Sequence, residues 1–133
     1  MQLTFRIKKT NEFIFDYLTD MQKFVSVHPV ISQIDKIDDD RFLVHETLKL
    51  GLIPFTFTYP VTIEKNLKEK IVIIRATVFK LTKIEMKFML KEDRNYSVIE
   101  ESIEFKSPLP VRYVMQTIFR KQHLQLFKNI ETL

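Results

Sequence analysis

Apolar and polar residues alternate over most of this chain, which is the pattern of half-buried β-strands. Near the start, Leu3, Phe5 and Ile7 alternate with polar residues, so a strand is predicted over Gln2–Lys8. The same period of two resumes after Val30 and predicts six further strands: Ile31–Ile37, Arg41–Leu50, Pro54–Lys65, Lys70–Phe79, Thr82–Lys91 and Tyr96–Lys106. The breaks between these strands are too short for crossover helices, so the sheet is expected to be antiparallel.

Two short helices are predicted between the first two strands. Thr10 is a suitable N-cap for the first helix, and Asp20 for the second, over Met21–Val27. His28 and Pro29 end the second helix, because the residue before a proline disfavours the helical conformation. We therefore interpret His28 as part of a helix stop.

A period near 3.6 replaces the alternation from Pro108 to about Glu131 and predicts one long amphipathic helix. Ser107 is its expected N-cap, and prolines are tolerated in its first turn. One broad arc of this helix is apolar and is expected to be buried: Val111, Val114, Met115, Ile118, Phe119, Leu126, Phe127 and Ile130. Gln122 and His123 fall inside that arc, which indicates that part of it faces a cavity.

The composition is that of an ordinary globular protein, with 45% hydrophobic and 29% charged residues among 133. This length predicts a single domain over residues 1–133. The chain has no cysteine, which excludes disulfides and thiolate chemistry. With neither a signal-peptide pattern nor an apolar run long enough for a membrane span, we expect a cytoplasmic protein. The net charge of +4 permits transient membrane contact without requiring it.

The predicted order of strand, two short helices, six strands and long helix describes an α+β architecture in which a curved seven-stranded antiparallel sheet wraps around the last helix. With His28-Pro29-Val30-Ile31 after the two short helices and a terminal helix that begins at a proline, the whole chain resembles the START/birch-pollen-allergen (SRPBCC) superfamily. It looks most like the small bacterial members grouped with polyketide cyclases, dehydrases and lipid-transport proteins. The resemblance implies a helix-grip fold with a hydrophobic cavity for a lipid, polyketide, sterol or quinone. It identifies no catalytic residues.

Three charged residues alternate in step with apolar neighbours in the predicted strands: Glu46, Arg75 and Glu101. We expect them to line the ligand cavity together with six residues of the terminal helix: Met115, Ile118, Phe119, Gln122, His123 and Leu126. Arg75 is the natural partner for either carboxylate, because an unpaired buried charge is costly. The alternative is that the strands twist or bulge, so that both glutamates reach solvent.

Three functions fit these features. The first is a non-enzymatic carrier or sensor for a small hydrophobic molecule. The second is a cyclase or dehydratase that uses His123 or Glu101 for proton transfer, although His123 also fits the role of a hydrogen-bonded core residue. The third, suggested by relatives that act on ribosomes or respiratory components, is a protein-interaction module, which needs an exposed apolar or basic patch.

Other kinds of site have no support in the sequence. The three histidines lack the spacing of metal ligands, and a single glycine makes no phosphate-binding loop. Exposed aromatic repeats that stack on bases are not visible either. We therefore expect no metal, no cofactor and no nucleic-acid partner, and the oligomeric state stays open.

Overall fold

The computed structural model describes the backbone of residues 1–133 and all side chains except that of Leu50, so the inward position predicted for that side chain lies outside the described residues. The strands are β1 Gln2–Ile7, β2 Ile31–Lys36, β3 Arg41–Leu50, β4 Ile53–Asn66, β5 Ile71–Val78, β6 Thr82–Asp93 and β7 Tyr96–Lys106. The helices are α1 Asn11–Thr19, α2 Met21–Val27 and α3 Arg112–Glu131. Every predicted element is present. None of the described helices is long and apolar enough to cross a membrane.

All seven strands form one antiparallel sheet in the order β1-β7-β6-β5-β4-β3-β2. The last half of α3 packs on this sheet through Leu126, Phe127 and Ile130, each at most 1% exposed. The ring of Phe127 lies 4.6 Å from that of Phe5 and 6.1 Å from that of Phe88. These contacts confirm the predicted helix-grip arrangement of an α+β protein.

The start predicted for the long helix is wrong by four residues. The helix begins at Arg112, with Val111 as an N-cap that makes no side-chain capping bond. Pro108 and Pro110 explain the delay, because each disfavours the helical conformation in the residue before it. Ser107 instead accepts hydrogen bonds from the Thr82 hydroxyl, at 2.9 Å, and from the backbone N–H of Leu109, at 3.2 Å.

The burial predicted for the apolar arc of α3 is correct only for its second half. Val114 is 57% exposed, and Met115, Ile118 and Phe119 are only partly buried. The first half of the helix therefore does not fill a core. It stands over an open space between itself and the sheet.

The two short helices are capped as predicted, and their ends matter for the site. The Thr10 hydroxyl accepts from the N–H of Phe13, and the Asp20 carboxylate accepts from the N–H of Gln22 at 3.0 Å. At the other end of α2, Asn129 of α3 donates to the carbonyl of Val27 at 2.8 Å. This bond ties the last turns of α2 and α3 together beside His28.

Candidate ligand cavity

A cavity of about 260 Å³ lies between the concave face of the sheet, α2 and the first half of α3. Its walls are almost entirely apolar, and β5 shows how the alternation builds them. Ile74, Ala76 and Val78 point inward and line the cavity, while the residues between them point away. Further lining side chains come from five other elements: Met21, Phe24, Ile31, Ile34, Val44, Phe57, Val61, Ile84, Met86 and Phe88. The volume is just below the range of about 300–1,000 Å³ usual for small-molecule sites, so the cavity suits a small ligand.

The mouth of the cavity is surrounded by exposed apolar side chains from the β3–β4 turn, the β5–β6 turn and the segment before α3. We call these residues the rim: Leu52, Ile53, Phe55, Phe79, Leu81, Leu109 and Val114. Four of them, Phe79, Leu81, Leu109 and Val114, line the cavity itself and are between 51% and 59% exposed. Leu52 at the turn tip is 99% exposed, which is unusual for such a residue unless it contacts something else.

Phe79 holds an unfavourable backbone conformation at this rim. Both Phe79 and Lys80 have positive φ angles, 53° and 61°, which form the tight turn between β5 and β6. A residue with a Cβ in this region costs roughly 1–2 kcal/mol relative to the right-handed conformation. The ring packs on Phe57, with 5.1 Å between centroids, so the turn places an aromatic side chain over the mouth.

A group of polar side chains interrupts the apolar wall deeper inside. We call it the polar cluster: His28, Glu46, Tyr59, Gln122 and His123, all of which line the cavity. The rings of Phe55, Phe57 and Tyr59 lie in a row along β4, with successive centroids 5.6 and 5.8 Å apart. This aromatic row leads from the rim to the polar cluster.

Glu46 and Tyr59 face each other across β3 and β4. The Tyr59 hydroxyl donates to Oε1 of Glu46 at 2.7 Å, and Glu46 is 8% exposed. Burial raises the pKa of the Glu46 carboxyl, an effect partly offset by the bond from Tyr59 and by the nearby His123. Burial and the adjacent carboxylate also raise the pKa of Tyr59 well above its usual value. The tyrosine therefore remains an uncharged donor.

His28 caps the end of α2 and presents one ring nitrogen to the backbone. Its Nδ1 accepts hydrogen bonds from the N–H groups of Val30 and Ile31, at 3.3 and 3.2 Å. Burial, with a contribution from His123, lowers the pKa of His28 to about 3. The ring is thus neutral at physiological pH, and its proton is on Nε2 because Nδ1 acts as an acceptor.

His123 and Glu101 form the most enclosed polar contact in the protein. Nδ1 of His123 lies 2.5 Å from Oε2 of Glu101, and the two side chains are 3% and 0% exposed. The direction of the contact does not meet the geometry of a hydrogen bond, and neither Nδ1 nor either carboxylate oxygen has another hydrogen-bond partner among the described side chains. We therefore treat it as a close electrostatic contact. Glu101 lies behind His123, and only the histidine reaches the cavity.

The match to a family model fits this architecture. Residues 4–132 match the model of CoxG, a component of carbon monoxide dehydrogenase. The chain belongs to the CoxG family. No curated protein matches the sequence.

Solved structures show the same fold around this CoxG-family chain at low sequence identity. The allergen Ara h 8.0201 is 18% identical, with a TM-score of 0.77 over 99% of this chain and 94% of that one. A START superfamily protein from Mycobacterium smegmatis is 13% identical, with a TM-score of 0.75 over 99% and 94%. Zhui aromatase/cyclase from Streptomyces sp. R1128 is 8% identical, with a TM-score of 0.70 over 99% and 90%. These likenesses establish an SRPBCC/START-like fold for the CoxG-family chain.

Most of the predicted cavity residues of this CoxG-family protein do reach the cavity. Six of the nine line it: Glu46, Met115, Ile118, Phe119, Gln122 and His123. Leu126 is fully buried in the core beyond it, and Glu101 is enclosed behind His123. The alternative that Glu46 and Glu101 reach solvent is wrong, since they are 8% and 0% exposed.

Arg75 is not a cavity residue, and its predicted pairing with Glu46 or Glu101 is wrong. It lies on the outer face of the sheet, where its guanidinium contacts Glu64 at 3.0 Å and Glu85 at 2.9 Å. The inward positions of β5 are the even-numbered ones, so Arg75 points to solvent. The cavity consequently has no arginine.

Two residues of the polar cluster were missed in the sequence. Tyr59 shares its strand face with Phe57 and Val61, so the same alternation could have placed it in the cavity. His28 was interpreted only as a helix stop, and its role in the cavity depends on how α2 packs against α3. His45, by contrast, lies near the surface, where its Nε2 is 2.7 Å from Asp35.

Proposed function

We propose that this CoxG-family protein binds a small hydrophobic molecule between its sheet and α3, as a non-enzymatic carrier or sensor. The observation that carries the proposal is the unfilled cavity of about 260 Å³ with apolar walls. Protein interiors are close-packed and contain few voids larger than a water molecule. An apolar void of this size costs on the order of several kcal/mol, which is a large fraction of the stability of a small domain. A ligand that fills the cavity recovers part of that cost.

The class of ligand follows from the balance between apolar wall and polar cluster. The proposed classes are a lipid, a polyketide, a sterol or a quinone, each of which combines an apolar body with a few oxygen atoms. The apolar body fits the wall of Ile74, Ala76 and Val78, and the oxygen atoms fit His28 and Gln122. The proposed setting is the cytoplasm, as one domain over residues 1–133.

The rim supports a route by which the ligand enters and leaves. Three segments form the mouth, residues 47–63, 76–84 and 105–118, and none of the 17 acidic residues of the chain lies in them. They carry five basic residues: Lys49, Lys80, Lys83, Lys106 and Arg112. Exposed apolar side chains flanked by basic ones favour brief contact with an anionic membrane surface, from which an apolar ligand is exchanged without crossing water.

A protein surface is the alternative docking partner for the same rim. The exposed apolar and basic residues meet the requirement for a protein-interaction module. The family's description as part of carbon monoxide dehydrogenase supports an oxidoreductase as that partner.

The His123–Glu101 contact favours one second function, a cyclase or dehydratase. A carboxylate next to an imidazole that reaches an apolar cavity has the arrangement of a general acid or base with its orienting partner. The fold neighbours that are aromatase/cyclases support this alternative at the level of fold only. If it is correct, a His123→Phe variant loses turnover and still binds the substrate.

Native mass spectrometry of freshly purified protein tests the proposed binding function. We expect a fraction of the protein to carry a small molecule that organic solvent extracts and that restores the bound species when added back. Protein that is free of any adduct, and that takes up none from a total lipid extract, would refute the carrier.

A further inference from the structure

We propose that the polar cluster selects a neutral oxygen-bearing headgroup, a hydroxyl or a carbonyl, and that the Nε2–H group of His28 donates the hydrogen bond that holds it. The inference rests on the proposed function, because it concerns a ligand in the same cavity. It assigns a binding role to a residue that the sequence indicates only as a helix stop.

The donor on His28 is fixed in place. The backbone N–H groups of Val30 and Ile31 both point at Nδ1, so the proton belongs to Nε2. The bond from Asn129 to the carbonyl of Val27 holds the end of α2 against α3. None of the described residues accepts a hydrogen bond from Nε2, although the ring lines the cavity. An oriented donor without a protein acceptor is a site for a ligand oxygen.

The amide of Gln122 is a second polar group that a ligand could satisfy. Its side chain is 8% exposed, lines the cavity and makes no hydrogen bond with any residue whose side chain the structure describes. An amide both donates and accepts, so it pairs with either a hydroxyl or a carbonyl. Together with His28, it gives the cavity two unpaired polar groups in an otherwise apolar wall.

The charges around the polar cluster exclude an acidic headgroup. Glu46 already contributes a carboxyl to the cluster, and Glu101 lies directly behind His123. His28 is uncharged at neutral pH, since burial lowers its pKa to about 3. The only other imidazole of the cluster, His123, is already in contact with a carboxylate. A ligand carboxylate or phosphate would therefore be buried without a cationic partner of its own, which is costly.

The test compares ligands that have the same chain and different headgroups. Decyl alcohol, methyl octyl ketone and decanoate, with decane as the hydrocarbon reference, compete with an apolar fluorescent probe for the intact protein. The alcohol or the ketone is expected to displace the probe at concentrations at least about tenfold lower than decanoate. Whichever of the two neutral ligands binds more tightly identifies the preferred oxygen.

The variant His28→Asn then removes the distal donor and keeps an acceptor for the two backbone amides, because Asn Oδ1 takes the position of Nδ1. We expect the affinity for the neutral headgroups to fall about tenfold, while the affinity for decane stays unchanged. His45→Asn is the matched control and should change neither. Equal binding of decanoate and decyl alcohol, or an unchanged affinity of His28→Asn for both neutral ligands, overturns this inference alone. If none of the four compounds displaces the probe, the proposed binding function fails as well.

Discussion

Glu101 of β7 and His123 of α3 meet at 2.5 Å inside the protein, with exposed fractions of 0% and 3%. This contact joins the sheet to the helix at the boundary between the packed half of α3 and the half that covers the cavity. The rings of Phe88 and Phe119 lie 6.0 and 5.3 Å from the imidazole, so the contact is surrounded by aromatic carbon. A polar contact in such surroundings depends strongly on both partners.

Removal of one partner is expected to be more damaging than removal of both. Glu101→Leu and His123→Phe should each lower the free energy of unfolding by roughly 3–5 kcal/mol, because each leaves the other group buried and unpaired. The double variant should recover most of that loss, since two well-packed apolar side chains replace the pair. Urea denaturation of the four proteins measures the coupling. If the two single losses simply add in the double variant, the contact has no energetic role.

The stability should depend on pH through His28. Its pKa is lowered from 6.5 to about 3 in the folded protein, so the unfolded chain binds the proton more readily between these values. The contribution of the neutral ring is therefore complete above pH 6.5 and is lost as the pH falls towards 3, by at most about 1.4 kcal/mol per pH unit. Glu46 has the opposite slope above pH 4.5, because its pKa is raised.

Comparison with His28→Asn separates these two effects. The difference in unfolding free energy between wild type and this variant should shift in favour of the variant as the pH falls from 7 to 4. His45→Asn serves as the control for a histidine near the surface. A difference that stays constant over this pH range would mean that His28 is not buried in its neutral form.

Gln122 and Asn129 provide a matched pair of amides on α3. Gln122 faces the cavity without a hydrogen bond among the described residues, whereas Asn129 donates to the carbonyl of Val27. Gln122→Met should therefore leave the melting temperature unchanged or raise it, and Asn129→Leu should cost about 1 kcal/mol or more. A clear loss of stability in Gln122→Met would show that this amide is structural and does not await a ligand.

The rim should determine contact with membranes. Leu52→Ser with Ile53→Thr should abolish sedimentation with vesicles that contain anionic lipid, while the cooperative melt is preserved, because the two side chains are 99% and 72% exposed. Leu67→Ser with Ile37→Thr is a control of the same residue types at exposed turns outside the rim, 66% and 53% exposed. If wild-type protein does not sediment with vesicles at low salt, a protein surface becomes the preferred partner of the rim.

The sequence predicts the fold well because the two periods, of two and of 3.6, are long and uninterrupted. The start of α3 could not be read from periodicity, since Val111 continues the apolar pattern while Pro108 and Pro110 delay the first helical turn. Within the site, Glu46 and His123 could be placed because their neighbours define the inward face clearly.

The remaining site residues depend on information that the sequence does not hold. In β5 the run Ile71-Val72-Ile73-Ile74 is apolar on both faces, so the pattern could not decide on which side Arg75 lies. The side of the strand is determined by its register with β4 and β6. His28 is part of the cluster only because α2 docks on α3, and a local pattern contains no signal of that contact.

Ligand binding in the cavity is tested most directly by titration of an apolar fluorescent probe into wild-type protein and an Ala76→Phe variant. Ala76 lines the cavity and is 5% exposed, so a phenyl ring at this position occupies the space proposed for the ligand. We predict saturable one-site binding and a raised melting temperature for wild type, and little binding for a variant that still unfolds cooperatively. Weak, unsaturable binding to wild type, or equal binding by both proteins, would contradict a ligand site between the sheet and α3.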